Sequence, residues 1–208
     1  MKTYFTFMAA LYFTLGVGMS KPANALETPQ YETSRTAIAN GNDVEIRNYS
    51  PYVVAETVVE ADSLDNAGRV GFKRLANYIF GDNRSRTSMD MTSPVGSEKM
   101  DMTAPVGAIG ESGRYTISFV MSSKYTLGTL PLPNDSQVVL RQIPERKVAA
   151  IIFSGFWSQK NFSSHTEELI NFLKSERLET VGQPLLARYN MPLTPWFLRH
   201  NEIQIELK

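Results

Sequence analysis

Residues 44–60 read VEIRNYSPYVVAETVVE and decide how the fold begins. Apolar and charged side chains alternate over residues 44–47, the pattern of a β-strand with one buried face. Residues 52–60 are rich in β-branched side chains, which favour an extended backbone. Ser50-Pro51 separates the two segments at a turn. The stretch therefore predicts two strands joined as a β-hairpin.

A helix and a third strand are predicted next. Apolar residues recur with the spacing of one helical face, and these are Phe72, Leu75, Ala76, Ile79 and Phe80. Gly81 is placed to end the helix. Apolar and polar residues then alternate over residues 115–121, as in another strand. The first half of the chain therefore reads strand, strand, helix, strand.

A similar plan recurs 94 residues further along the chain. Residues that keep their type at this offset include Val44, Arg47, Val54 and Ala55, matched by Val138, Arg141, Val148 and Ala149, and Leu75 and Asn77, matched by Leu169 and Asn171. Ser164 and Glu167 form a capping box and predict that a second helix begins there, and alternation over residues 203–207 predicts the last strand. The two units, about residues 43–121 and 137–207, are expected to bury each other's apolar faces in one α+β domain. Chance similarity between two amphipathic units is the alternative.

The composition is that of a globular protein and removes several classes of function. The chain has 208 residues, 21 basic against 21 acidic side chains, and 42% hydrophobic residues, as folded domains do. A formal net charge of zero gives no basic surface for nucleic acid or for an anionic membrane. Because the chain has no Cys, disulfides, thiolate nucleophiles and cysteine-bound metal centres are excluded.

Residues 1–25 have the pattern of a secretory signal peptide. Lys2 precedes an apolar run of about 14 residues, and Ala23-Asn24-Ala25 is a cleavage site of the small-x-small kind. The run is shorter than the roughly 20 residues of a membrane-spanning helix, so an uncleaved anchor is the less favoured interpretation. We expect residues 26–208 to be released as one soluble domain without a later membrane span. The expected location is extracytoplasmic, which is the periplasm in a Gram-negative cell.

Two short segments between the halves repeat each other. Residues 89–96 read MDMTSPVG and residues 100–107 read MDMTAPVG, and their Pro and Gly residues exclude a helix. Their Met side chains are polarizable and adaptable, so they are candidates to contact a flat apolar ligand. The four are Met89, Met91, Met100 and Met102. The alternative is that they pack beneath a long connection.

These paired segments and two downstream motifs resemble the SOUL/heme-binding protein family. The motifs are Leu132-Pro133-Asn134-Asp135, and Arg188-Tyr189-Asn190 followed by PWFLRHNE at residues 195–202. The resemblance spans about residues 27–207. It implies two repeated β-α-β units that form a distorted, mostly antiparallel β-barrel flanked by two helices. It also implies binding of heme or a related tetrapyrrole, and no catalysis.

The resemblance places a tetrapyrrole near the first helix. Arg69 and Lys73 are then candidates to pair with its propionates, and Phe72 is a candidate to stack on its ring. The alternatives are that the basic residues form the solvated face of the helix and that Phe72 belongs to the core. His165, expected in the first turn of the second helix, is the candidate iron ligand. Its alternative is a surface histidine, with the heme held by a Met side chain or by packing alone.

Glu202 is the candidate carboxylate of a ligand groove. The resemblance implies kinship with bacterial effector-binding domains, in which a carboxylate deep in a groove meets a cationic ligand. A buried carboxylate needs a partner, so the alternative is a salt bridge with Arg199 or Arg188. Tyr189, Trp196 and Phe197 are expected to pack the end of the barrel.

We therefore expect non-enzymatic binding of heme or a related tetrapyrrole by a monomer that acts as carrier or buffer. No Gly-x-Ser-x-Gly, His-Glu-x-x-His or phosphate-binding glycine loop occurs in the sequence, so no residue set argues for catalysis. The competing hypothesis is a protein or apolar-ligand interaction module that has lost heme binding. It stays open because no His precedes position 165.

Overall fold

The computed structural model describes residues 26–100, 113–190 and 193–208, without the side chains of residues 99 and 100. The strands are β1 (Tyr31–Ala39), β2 (Asn42–Tyr49), β3 (Tyr52–Ala61), β4 (Val95–Met100), β5 (Gly113–Val120), β6 (Val139–Ile143), β7 (Arg146–Phe153), β8 (Thr180–Arg188) and β9 (Asn201–Leu207). The helices are α1 (Leu64–Ile79) and α2 (Gln159–Ser175), and a 3-10 turn spans Trp196–Leu198. Residues 1–25, Met102 and the side chain of Met100 lie outside the described residues. Neither α1 nor α2 is long and apolar enough to cross a membrane.

Nine strands in the described ranges form one antiparallel sheet, in the order β1-β2-β7-β9-β8-β4-β5-β3-β6. With β1 set aside, the order is symmetric about the β8–β4 pair, because β2 to β5 take the same relative places as β6 to β9. A duplicated unit would produce this symmetry, and the duplication itself stays a prediction. The α+β class and the mostly antiparallel sheet are confirmed. Closure into a barrel is not confirmed, because the pairing order has two ends, β1 and β6.

The predicted hairpin is wrong, although both of its strands exist. β2 pairs with β1 and β7, whereas β3 pairs with β5 and β6. The chain therefore passes at Pro51 from one half of the sheet to the other. β1, which the sequence analysis did not predict, occupies one edge of β2, and β7 occupies the other. No edge of β2 is left for β3.

Both helices begin earlier than their sequence patterns indicate. Oγ of Ser63 accepts a hydrogen bond from N of Asn66 at 3.3 Å and caps α1. Oγ of Ser158 accepts from N of Asn161 at 3.3 Å and caps α2, so the predicted start at Ser164 is wrong. The additional first turn carries Phe162, which packs against the hydrophobic core. Burial of the Phe162 side chain stabilises the additional turn of the helix.

The buried face of α1 is rotated from the predicted stripe. Leu75 and Ile79 are buried as expected, but Phe72 and Phe80 are 38% and 63% exposed. The helix instead meets the sheet through small residues such as Gly71, which allow a close approach to β3 and β5. α2 packs on β7 and β9 in the corresponding way.

Gly71 is the basis of a stability prediction. A Cβ atom at this position would lie 2.5 Å from Cγ1 and 2.6 Å from Cβ of Ile117. Gly71→Ala is expected to lower the free energy of unfolding by about 1–2 kcal/mol, because overpacking costs about 1–3 kcal/mol and the gain in helix propensity is at most about 1 kcal/mol. Urea denaturation followed by circular dichroism measures the change.

Gly68→Ala on the same helix is the matched control. Its Cβ atom would meet only the end of the Arg188 side chain, at 3.3 Å from Nη1. The gain in helix propensity should therefore dominate and stabilise the protein. Equal destabilisation by Gly68→Ala and Gly71→Ala would contradict the packing argument.

Candidate functional site

The face of the sheet away from the helices lines a groove. In β3, Ala55 lies in the core, whereas its neighbours Val54 and Glu56 line the groove. Nε and Nη2 of Arg141 donate to the two carboxylate oxygens of Glu56 at 3.0 and 2.7 Å. Paired charges therefore stand on this face beside apolar side chains.

Glu202 lies in a buried hydrogen-bond network at the start of β9. Nη1 and Nη2 of Arg47 donate to its two carboxylate oxygens at 2.8 and 3.0 Å. The Tyr189 hydroxyl donates at 2.8 Å and the Gln204 amide at 2.7 Å. Nε2 of His200 lies 2.7 Å from Oε1. Five contacts to one carboxylate group that is 1% exposed satisfy its oxygens within the protein.

Arg47 is the partner of Glu202, which corrects the expectation of Arg199 or Arg188. Burial opposes ionisation of Glu202, but the hydrogen bond with His200 and the charge and hydrogen bonds of Arg47 outweigh it and hold its pKa at about 2. Burial alone would lower the pKa of Arg47, yet Glu202 raises it above its ordinary value. The pair is therefore ionised at neutral pH. These contacts match the salt-bridge alternative for Glu202.

His165 lies in the second turn of α2 and is engaged on two sides. Its ring stacks on Phe153 with the centroids 4.0 Å apart. Nδ1 lies 3.2 Å from Oε2 of Glu168, a carboxylate that also accepts from Asn42. This contact orients the ring and leaves Nε2 as the nitrogen for a metal. Within the described ranges, no three His, Asp or Glu side chains are grouped so that they could hold a metal ion.

The three candidates on α1 lie toward its solvent side. Arg69 and Lys73 are exposed, and Arg69 donates a hydrogen bond to the side chain of Asn66. Phe72 is partly exposed, and its ring meets Phe119 edge-on at 5.2 Å. α1 and α2 cover different halves of the sheet. The α1 candidates therefore belong to one half of the sheet and His165 to the other.

The described methionines of the repeated segment pack inward. Met89 is 4% exposed, and its N–H donates to the carbonyl oxygen of Ile79 at 2.8 Å. Met91 is half-buried against the hydrophobic core. These contacts match the alternative in which the methionines pack beneath a connection.

Sequence reasoning missed a cluster of Trp157, Arg188 and Arg199, called here the arginine–tryptophan cluster. Both guanidinium groups lie over the Trp157 ring, with centroid distances of 5.2 Å for Arg188 and 4.2 Å for Arg199. The indole Nε1 donates to Oδ1 of Asn201 at 2.7 Å and fixes the ring. Trp157 immediately precedes Ser158, the N-cap of α2, and this position was the one feature of the sequence that could have pointed to Trp157. Its contacts with arginines more than 30 residues away in the chain were not predictable from local pattern.

Arg188 is incompletely paired in this cluster. Its Nε and Nη2 atoms are buried and have no hydrogen-bond partner. Oδ1 of Asp65, in the first turn of α1, is 3.9 Å from Nη2, too far for a hydrogen bond. Burial lowers the pKa of Arg188, and the charge of Arg199 adds to that effect against the attraction of Asp65. An anion that accepted hydrogen bonds from Arg188 would satisfy its unpaired donors and would balance its buried positive charge.

An exposed apolar surface lies beside this cluster. We call it the aromatic patch and define it as Phe156, Leu193, Trp196, Phe197 and Leu198. The Phe156 and Trp196 rings stack at 5.1 Å with an angle of 9°, and Phe197 meets Trp196 edge-on at 5.2 Å. Trp196 and Phe197 are 49% and 59% exposed, so the expectation that they pack the end of a barrel is wrong for these two residues, whereas Tyr189 is partly buried. A 3-10 turn, in which N of Leu198 donates to O of Pro195 at 3.0 Å, holds this segment outside the core.

The fold and these two features define a class of protein. In its described residues it is a small α+β protein with one nine-stranded antiparallel sheet, two helices on one face, and arginine and aromatic side chains collected where the helices begin. The chain belongs to the SOUL heme-binding protein family, whose model matches residues 26–206.

Two curated proteins are similar to this chain over most of its length, and two solved structures share its fold. Heme-binding protein 2 of Mus musculus is 28% identical over 202 residues, which cover 93% of this chain and 96% of that protein. Heme-binding protein 2 of Homo sapiens is 28% identical over 195 residues, or 90% and 93%. The crystal structure of the EcmrR C-terminal domain has a TM-score of 0.61, with 8% identity over 80% of this chain and 98% of that one. A hydrolase from Listeria innocua has a TM-score of 0.53, with 10% identity over 79% and 91%. At these identities, the two structures show a shared fold alone.

Proposed function

We propose that this protein binds heme or a related tetrapyrrole without transforming it, and that it acts as a carrier or buffer. Membership of the SOUL family and the similarity to two proteins named heme-binding protein 2 support the ligand class. The observation in this chain that carries the proposal is the incompletely paired Arg188 beside exposed aromatic rings.

The residues present fit the two chemical parts of a tetrapyrrole. Its propionates are carboxylates, which form charge-assisted hydrogen bonds with guanidinium groups. Arg188 has two nitrogen atoms without hydrogen-bond partners, and because these atoms are buried, binding requires that they become accessible to the propionate. Its macrocycle is flat and apolar, which suits aromatic surfaces. Trp196 offers such a surface next to the cluster. Phe72 offers another, one helical turn beyond Gly68, the residue of α1 that faces Arg188.

We further propose that the macrocycle and its carboxylates, not the iron, dominate recognition. Both histidines in the described residues already contact carboxylates: His165 contacts Glu168, and His200 contacts Glu202. Recognition through the macrocycle and its carboxylates does not require a protein ligand to the iron. A metal-free porphyrin should therefore bind about as tightly as hemin.

Three ligands test this proposal: hemin, metal-free protoporphyrin and protoporphyrin dimethyl ester, each titrated and followed by absorbance. The parent protein is expected to bind all three saturably. Arg188→Met should weaken hemin and protoporphyrin about tenfold or more, because a hydrogen bond to a charged group contributes about 1.5–3 kcal/mol. The same variant should leave the dimethyl ester unchanged, since the ester has no carboxylate.

Two control variants separate the roles of charge and iron. Arg141→Met removes a guanidinium from the groove face of the sheet and should change no affinity. His165→Ala should leave hemin and protoporphyrin equally tight, whereas a loss confined to hemin would make His165 the axial ligand. If no ligand saturates at micromolar concentration, the carrier proposal fails and the interaction-module hypothesis replaces it. A changed absorbance spectrum of recovered ligand would contradict binding without catalysis.

The proposed carrier is a monomer of residues 26–208 outside the cytoplasm. The signal-like pattern of residues 1–25 supports this location. Intact-mass measurement of the protein from the periplasmic fraction tests it, because retention of residues 1–25 would contradict the proposal. Light scattering of the same sample tests the monomer.

A further inference from the structure

The carboxylate of Asp65, in the first turn of α1, faces the guanidinium of Arg188, the proposed partner of the ligand propionates. Within the described residues, two charges influence the pKa of Arg188: Asp65, which is opposite in sign, and Arg199, which has the same sign. We propose that Asp65 is an internal competitor at this site, which pairs with Arg188 in the ligand-free protein and gives way when a ligand carboxylate binds. Because the competition takes place at the proposed tetrapyrrole site, it rests on the proposed function.

Asp65 pairs with Arg188 without satisfying it. Nε and Nη2, the two nitrogen atoms of Arg188 that have no hydrogen-bond partner, lie on one edge of the planar guanidinium group. The two oxygens of a carboxylate match such an edge. The closest approach of Asp65 is 3.9 Å, from Oδ1 to Nη2, which is too long for a hydrogen bond. A propionate at about 2.8 Å would therefore gain two charge-assisted hydrogen bonds that Asp65 does not make.

The side chain of Asp65 can turn away from Arg188 at little cost. It is 58% exposed, against 13% for Arg188, so water hydrates its carboxylate once it points outward. Among the described residues, the Asp65 carboxylate makes this ion pair and no hydrogen bond, and exposed ion pairs contribute little to stability. Rotation of Asp65 toward solvent removes the carboxylate that faces Nη2. A propionate needs this access, because Nη2 is buried.

Arg188 is held in place while Asp65 moves. Its guanidinium lies over the Trp157 ring, 5.2 Å from the centroid, and the hydrogen bond from Trp157 to Asn201 fixes that ring. α1 approaches the same guanidinium through Gly68, where an added Cβ atom would lie 3.3 Å from Nη1. The two carboxylates therefore exchange at a fixed cation, and the exchange requires movement of one exposed side chain.

Competition by Asp65 lowers the apparent affinity of the protein for its ligand. Arg188 accepts a propionate only in the fraction of molecules in which Asp65 has turned away, and the apparent Kd rises as that fraction falls. The carboxylates of Asp65 and of the propionate also repel each other near the site. A carrier with an internal competitor releases its ligand more readily than a carrier whose arginine is unopposed.

Two substitutions at position 65 are expected to change the affinity in opposite directions. Asp65→Asn keeps the size of the side chain and removes its charge, so hemin and metal-free protoporphyrin should bind about threefold more tightly, the size of effect that an exposed ion pair gives. Asp65→Glu adds one methylene group, which brings the carboxylate within hydrogen-bond distance of Nη2, so both ligands should bind about threefold more weakly. Protoporphyrin dimethyl ester should bind the parent and both variants equally. Absorbance titrations measure all three ligands.

Asp62→Asn is the matched control. It removes one acidic charge from the same end of α1, but the Asp62 carboxylate accepts hydrogen bonds from Ser63 and Asn66 and does not contact Arg188. The control should bind every ligand as the parent does. It therefore accounts for any effect of net charge or of the charge at the N-terminus of the helix. A gain in affinity that is equal in Asp62→Asn and Asp65→Asn would contradict competition at Arg188.

The titrations distinguish failure of the competition from failure of the proposed function. If the parent and both Asp65 variants bind hemin and protoporphyrin equally, while Arg188→Met weakens both ligands, the tetrapyrrole site stands and Asp65 is not a competitor. Weaker binding by Asp65→Asn would also overturn the competition, because Asp65 would then position Arg188 for the ligand. If neither the parent nor Asp65→Asn saturates with any of the three ligands, the proposed function itself fails, and the competition fails with it.

Discussion

Arg47→Met is expected to lower the free energy of unfolding by about 3–5 kcal/mol, the usual cost of removing one partner from a buried ion pair. The variant would leave Glu202 ionised and 1% exposed, without the two guanidinium hydrogen bonds of 2.8 and 3.0 Å. The ring of Tyr31, 4.4 Å from the guanidinium carbon, also covers this site from β1. Water has no easy access to replace the lost contacts. Urea denaturation at neutral pH, followed by circular dichroism, measures the change.

Arg141→Met is the matched control for this variant. Arg141 pairs with Glu56 by two hydrogen bonds of similar length, but 53% of its side chain is exposed. Exposed pairs contribute about 0–1 kcal/mol, so this variant should be nearly as stable as the parent. The double variant Arg47→Met/Glu202→Gln should recover part of the stability, because no charge is then buried without a partner. A loss in Arg47→Met no larger than in Arg141→Met would contradict a structural role for the buried pair.

The protein is expected to lose about 3 kcal/mol of stability to protonation of Glu202 as the solution is acidified. The pKa of Glu202 is about 2 in the folded protein, against an ordinary value of 4.5. A carboxylate with a depressed pKa contributes its full stability above the unfolded value and loses it as pH falls toward the folded value. The loss therefore falls between about pH 5 and about pH 2, and each unit of difference corresponds to about 1.4 kcal/mol.

Glu202→Gln isolates this contribution from those of the other carboxylates. The variant cannot ionise at position 202, so it lacks this part of the pH dependence, although it is less stable than the parent at neutral pH. The difference in unfolding free energy between parent and variant should narrow by about 3 kcal/mol over this range. Parallel curves for the two proteins would show that the Glu202 carboxylate does not titrate with folding.

The local patterns of the sequence predicted the positions of strands and helices better than they predicted which strands pair. The alternation at residues 44–47 and the β-branched run at 52–60 correspond to β2 and β3. A strand with one buried face has apolar side chains at alternate positions, and this alternation is visible in the sequence. The hairpin between them was wrong, since hydrogen-bond partners are chosen by the whole sheet. The start of α2 was wrong because two serines, Ser158 and Ser164, both carry a capping signal. Packing of Phe162 favours the earlier one.

The candidate site, too, was predictable from the sequence only in part. The need of Glu202 for a partner followed from its expected burial, but Arg47 is 155 residues away and no periodicity connects the two. Trp157 and Arg188 are joined only because β8 ends beside the start of α2. Exposure of Trp196 and Phe197 was likewise missed, since an apolar run does not reveal whether it is buried or presented to a ligand.

By itself, the sequence determined the α+β class, the existence of both helices and most strands, and membership of the SOUL heme-binding protein family. These depend on side-chain periodicity and short motifs, which are properties of neighbouring residues. Only the tertiary structure decided that Arg47 neutralises Glu202, that Arg188 is left with unpaired nitrogens, and that the aromatic patch faces solvent. Those outcomes depend on contacts between distant residues, which are settled by competition for burial and hydrogen bonds across the whole chain.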